Sequence, residues 1–175
     1  ESADEGILNS IEKEIEPTRV EQIFRMCRER GIRTLAHFIL GLPGETEKTA
    51  LATIEFAKHI DPDFASFNVA APRMGTDLRS EAIRQGWVDR NVDSVDNSSA
   101  NAFPQMQIGS IPGERVIQLR NQAIREFHLR PDYLARKVRD IRSPREAWRA
   151  MQNGYSLLRS TMRKPTLEEI MEGEA

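Results

Sequence analysis

A single cysteine, Cys27, in 175 residues excludes a disulfide framework and any metal site built from several thiolates of this chain alone. No apolar run approaches the ~20 residues that a membrane-crossing helix requires, and no secretory signal opens the sequence. The default expectation is therefore a cytoplasmic protein. The one Gly-Leu-Pro-Gly loop lacks the lysine of a phosphate-cradling loop, so nucleotide hydrolysis is set aside. Gly-x-Ser-x-Gly is missing, and with it a nucleophilic triad. The formal net charge of −2 gives no global pull towards nucleic acid or acidic lipid. The basic helices lack the interleaved aromatic residues of a nucleic-acid surface. The chain opens on Glu1-Ser2 rather than methionine, which suggests a piece of something longer.

What is present suffices for a globular core: 39% of the residues are hydrophobic and 30% charged. Thr34 to Leu40 is a continuous apolar run closed by Gly41-Leu42-Pro43-Gly44-Glu45-Thr46, the pattern of a parallel strand covered on both faces and stopped by a tight loop. A helix follows from about Glu47 to Ile60, capped by Thr46 or Glu45, and Asp61-Pro62-Asp63 ends it. A second strand, Phe64 to Ala70, stops at Ala71-Pro72-Arg73-Met74-Gly75-Thr76. Strand, helix and strand make a βαβ unit, so the fold class is α/β with adjacent parallel strands at about 33–40 and 64–70.

Ahead of this unit, Ile7, Leu8, Ile11 and Ile15 fall at helical spacing, with Pro17 interrupting. A second helix shows Val20, Ile23, Phe24 and Cys27 on one face, and Gly31 is its expected left-handed terminator. Cys27 reads as a small buried hydrophobe rather than a reactive thiol. Beyond the βαβ unit, a helix over about Asp77 to Gln85 closes a first region, 1–86. Residues 87–112 form a long loop or linker. An all-helical extension occupies 113–163, with stripes through Val116, Leu119, Ala123, Ile124 and Phe127, and later through Trp148 and Tyr155 as core residues. Residues 164–175 are an acidic tail expected to be flexible. From Arg115 to Arg149 the chain carries ten Lys/Arg against four Asp/Glu, a surface that could dock a partner if this were a non-catalytic interaction module.

Ligands of parallel α/β sheets lie at the carboxyl ends of the strands, here Gly41 to Thr46 and Ala71 to Thr76. Alternation puts Leu35, His37, Ile39 and Gly41 on one side of the first strand. With the apolar sets turned to the covering helices, His37, Ser66 and Asn68 point to the other face. A polar ligand could be held there; alternatively His37 and Asn68 are interior groups satisfied by each other or by water. Gly41 and Gly44 either allow close backbone approach to a ligand or simply shape the turn. His59 and His128 have no partner at metal-ligand spacing and read as structural or exposed.

Four segments, in order and spacing, resemble the second half of a radical S-adenosylmethionine core: Glu1-Ser2, Leu8-Asn9-Ser10-Ile11-Glu12-Lys13, Phe38 to Thr46, and Ala71 to Thr76. Phe127-His128-Leu129-Arg130-Pro131-Asp132-Tyr133 resembles the helical extension of that family's cobalamin-binding branch, which includes methyltransferases and the anaerobic magnesium-protoporphyrin ester cyclase. The resemblance covers about the first 85 residues well and the remainder moderately. It implies the second half of a partial (β/α) TIM-like barrel followed by the helical extension. It also implies a parent enzyme that cleaves S-adenosylmethionine reductively on a [4Fe-4S] cluster, with cobalamin-assisted methylation or oxidative cyclisation of a small-molecule substrate. Glu1 and Ser2 fall where that family contacts the ribose and methionine portion, Ile39 and Gly41 on its adenine-contact motif, and Asn68 and Ala70 beside the adenine. The family often has glycine where this chain has His37, which becomes a substrate-facing candidate. The cysteine triplet of the cluster lies upstream in the family, so the resemblance implies no metal ligand here, no cofactor held by this fragment alone, and the upstream half of the same protein as partner. An isolated half barrel is expected to be inactive and to self-associate through its open edge.

Overall fold

The computed structural model describes residues 1–87 and 110–162. Among them are seven helices and two strands: α1 Glu5–Ser10, α2 Pro17–Glu29, β1 Leu35–Leu40, α3 Glu47–Ile60, β2 Phe64–Val69, α4 Asp77–Arg84, α5 Gly113–His128, α6 Pro131–Asp140 and α7 Pro144–Met162. The chain divides into two compact units, Glu1–Arg120 and Asn121–Ala175. No helix of the described residues is long and apolar enough to cross a membrane.

In the first unit β1 and β2 pair in parallel, with Leu35 opposite Phe64, His37 opposite Ser66 and Ile39 opposite Asn68. Thr34 and Asp63 fasten the entry to both strands, the Thr34 amide donating to Asp63 Oδ2 at 2.8 Å. Along β1 burial alternates as the period of two requires: Ala36, Phe38 and Leu40 are buried, His37 and Leu35 exposed, and Ile39 half-buried. The buried face stacks the Phe38 and Phe67 rings at 5.2 Å and is covered by α3, whose Ala50, Thr53, Ile54, Ala57 and Ile60 are buried. Thr46 caps α3 through a reciprocal exchange with Thr49, and Asp61 leaves it in the left-handed conformation. Leu40, Ala50, Ile111, Val116 and Leu119 form one core cluster, so the end of the segment expected to be a linker, at Ile111, contributes to the core. Residues 88–109 of that segment and the 164–175 tail lie outside the described residues.

Several expectations are corrected by local geometry. The first helix stops at Ser10 rather than at Pro17, because Glu12 turns left-handed at φ 58. The Lys13 amide then reaches back to the Leu8 carbonyl at 2.9 Å and the Glu12 amide to Asn9 at 3.0 Å, a Schellman closure without its usual glycine. Ile15 thus lies outside the helix and is 45% exposed. Gly31, at φ 67, terminates α2 as its position implies. No residue of α2 is buried; Ile23 is exposed, and Cys27 is half-buried rather than a core residue.

In the second unit Phe127 meets Tyr133 edge-on at 5.2 Å, and the Arg130 guanidinium lies 4.5 Å from the centre of the Phe127 ring. Pro131 opens α6, and Ser143 caps α7 by accepting the Glu146 amide at 3.2 Å. Trp148 and Tyr155, expected in the core, are exposed. Helical spacing places them on one stripe but does not supply anything to cover that stripe.

Candidate functional site

The carboxyl end of β1 meets a short loop that folds back on itself through Gly41 and Glu45. Gly41 adopts φ +82, and a β-carbon there would come within 3.0 Å of Val116 Cγ1. Both conformation and space therefore require glycine. Its amide donates to Oε2 of Glu45. Glu45 is 1% exposed, and its Oε1 finds no hydrogen-bond partner. Burial pushes its carboxyl up from 4.5 to about 7; the Gly41 and Leu42 amides oppose this, and Asp4 adds to it. The sequence offered Glu45 only as a possible helix cap. The signal for its true place was its setting, an acid four residues after Gly41 with Leu40, Leu42 and Pro43 around it.

On the exposed face of the sheet the cross-strand register brings His37 beside Ser66, with Nδ1 and Oγ 2.6 Å apart. Asn68, next on the same face, donates from Nδ2 to Ser66 Oγ at 3.4 Å. The three polar groups that alternation assigned to one face are thus joined in one hydrogen-bonded row. Above them, the Ile39 amide donates to the Glu1 carbonyl at 2.9 Å, which brings the first residue alongside β1 on the edge away from β2. The Glu1 carboxylate is 3.2 Å from Lys13 Nζ.

A cleft of about 330 Å³ opens here, lined by Glu1, His37, Ile39, Asn68, Ala70 and Arg73 among others. A second of about 670 Å³ shares Glu1, Ile39, Leu42 and Leu78 with it and extends to Lys13 and Arg84. The first cleft therefore gathers five of the residues singled out from sequence: Glu1, His37, Ile39, Asn68 and Ala70. Ser2 and Gly41 stand apart from it. Ser2 is buried, with Oγ 3.4 Å from Thr53 Oγ1, and Gly41 is turned to Val116. Arg73, a turn residue by its sequence, belongs to the cleft. His59 pairs with Glu21 at 3.1 Å, and His128 Nδ1 is 3.0 Å from the Ile124 carbonyl. Among the described residues no group of three or more His, Cys, Asp or Glu could hold a metal ion.

With this geometry in hand, two relatives are informative. Over 144 residues the chain is 33% identical to an uncharacterized methyltransferase of Pyrococcus horikoshii, covering 79% of this chain and 29% of that protein. Over 152 residues it is 27% identical to a cytidylyl-2-hydroxyethylphosphonate methyltransferase of Streptomyces wedmorensis, covering 81% of this chain and 26% of that protein. Both relatives are methyltransferases by name. The chain spans less than a third of the length of either. No protein-family model matches the chain.

Proposed function

We propose that the chain is the wall of an S-adenosylmethionine cleft in a radical methyltransferase, equivalent to the second half of its partial barrel. The observation that carries the reading is the cleft at the carboxyl ends of two parallel strands, in a chain whose relatives are named for methyl transfer. The bond from the Ile39 amide to the Glu1 carbonyl supports the barrel, since it is the contact a further strand ending at Glu1 would make.

The cleft suits S-adenosylmethionine. Half-buried Ile39 offers apolar surface for a flat base, and Asn68, Ala70 and Ala71 line the cleft beside it. Bound there, S-adenosylmethionine would supply the methyl group or the deoxyadenosyl fragment. The chain's own residues would shape the wall, orient the cofactor and exclude water. The residues described do not suit a [4Fe-4S] cluster or cobalamin: Cys27 is the one cysteine, half-buried on α2, and no cluster of potential ligands accompanies it. In this reading both are held elsewhere in the complete protein.

Purifying the complete protein without oxygen, reducing it and supplying S-adenosylmethionine tests the reading. The expected result is iron-sulfur absorbance together with 5′-deoxyadenosine in the product mixture. Well-folded protein that shows neither would overturn it.

A further inference from the structure

The polar side of the first cleft carries more positive character than its own groups neutralise. Arg73 is exposed at its rim, and no carboxylate pairs with it among the described residues. The cleft's own acid, Glu1, is held by Lys13 at 3.2 Å. His37 is fixed from one side: Asn68 Nδ2 donates to Ser66 Oγ, and Ser66 Oγ lies 2.6 Å from His37 Nδ1. When the Ser66 hydroxyl donates to Nδ1, the ring proton resides on Nε2, which has no partner among the described residues. An imidazole anchored at Nδ1, an amide and a guanidinium thus share a cleft of about 330 Å³. A guanidinium and an imidazole N–H lining one cleft match an acceptor-rich anion better than a neutral or cationic group.

We propose that Arg73, His37 and Asn68 receive an oxyanion, a carboxylate, phosphate or phosphonate group, with Arg73 supplying charge and His37 Nε2–H supplying direction. The inference rests on the preceding reading in that it takes the cleft to be that of a methyltransferase, the anion either belonging to S-adenosylmethionine or lying beside it on the substrate. Ser66 is a positioning residue: it holds the imidazole by Nδ1 and does not touch the anion. One other source of the same chemistry is the carboxylate of S-adenosylmethionine itself.

The test uses the complete protein labelled with ¹⁵N-histidine, His37 being assigned from the H37Q spectrum. Inorganic phosphate is titrated in at constant pH. The expected result is a saturable displacement of the His37 ring resonances, weakened about tenfold in R73Q, the loss expected for one charge-assisted contact. It should be unchanged in R25Q, which alters an exposed arginine on α2. S66A should change the tautomer signature of His37 before any phosphate is added. A displacement that persists with saturating S-adenosylmethionine assigns the site to the substrate's oxyanion, and one that is abolished assigns it to the cofactor's carboxylate. His37 resonances that do not move, or that move equally in R73Q and R25Q, would overturn the oxyanion site. If the protein releases deoxyadenosine while phosphate leaves His37 unmoved, the oxyanion site alone fails. If phosphate moves His37 and no deoxyadenosine forms, the radical reading fails and the anion site stands.

Discussion

Replacing Glu45 by glutamine should remove a large part of the protein's pH-dependent stability without removing the loop's key bond. The carboxyl is 1% exposed, with one oxygen bonded to the Gly41 amide and the other without a partner. Its ionised form therefore loses more to desolvation than the loop amides restore, which is why its pKa rises from 4.5 to about 7. The folded state thus binds the proton more tightly than the unfolded chain does. The stabilisation linked to that proton is complete below the unfolded value of 4.5 and is lost as pH rises through about 7. At about 1.4 kcal/mol per pH unit of separation, the loss is roughly 3 kcal/mol between pH 5 and pH 8. Urea unfolding followed by circular dichroism at pH 5, 6, 7 and 8 measures it. With a slope of about 1–3 kcal/mol per molar urea, the wild-type midpoint should fall by roughly 1–3 M relative to Glu45→Gln over that range. The glutamine oxygen still accepts the Gly41 amide but carries no titration, so the variant supplies the baseline for every other group. Parallel pH curves for the two proteins would show that Glu45 does not sit as a buried carboxyl under the Gly41 turn.

Gly41→Ala should destabilise the protein by roughly 2–3 kcal/mol in the same unfolding experiment, because φ +82 disfavours any β-carbon and Val116 Cγ1 stands 3.0 Å from the one introduced. Thr46→Ala removes the reciprocal cap of α3 and should cost about 1 kcal/mol, most of which Thr46→Ser would restore. His37→Ala in the complete protein should lower turnover far more than stability, since the side chain is exposed and bonded only to Ser66 among the described residues; equal losses of turnover and of unfolding free energy would refute its role in the cleft.

The βαβ unit was legible in the sequence because its signals are local: an apolar run from Leu35 to Leu40, a cap at Thr46, a break at Pro62 and a second run from Phe64. Period-two alternation also foretold that His37, Ser66 and Asn68 would share a face. What local signals could not convey was the partner of each exposed stripe. Trp148 and Tyr155 fall at core-like spacing and are exposed, while Ile111, in a stretch with no periodicity, is buried beside Val116 and Leu119. The end of α1 was missed because Glu12 takes a left-handed turn that its residue type does not advertise. Glu45 was missed as a buried acid because its burial comes from the packing of segments distant in the chain, Ser110 among them, whose hydroxyl donates to the Glu45 carbonyl at 2.7 Å. Arg73 carries no sequence signal of its own, because a turn residue acquires meaning only when a cleft forms beside it.

The central claim is that this cleft serves a methyltransferase working through a deoxyadenosyl radical. One anaerobic incubation of the reduced, complete protein with S-adenosylmethionine deuterated in its methyl group, analysed by mass spectrometry, tests it most directly. The account predicts 5′-deoxyadenosine together with a product carrying the deuterated methyl; S-adenosylhomocysteine formed with labelled product but without any 5′-deoxyadenosine would contradict it.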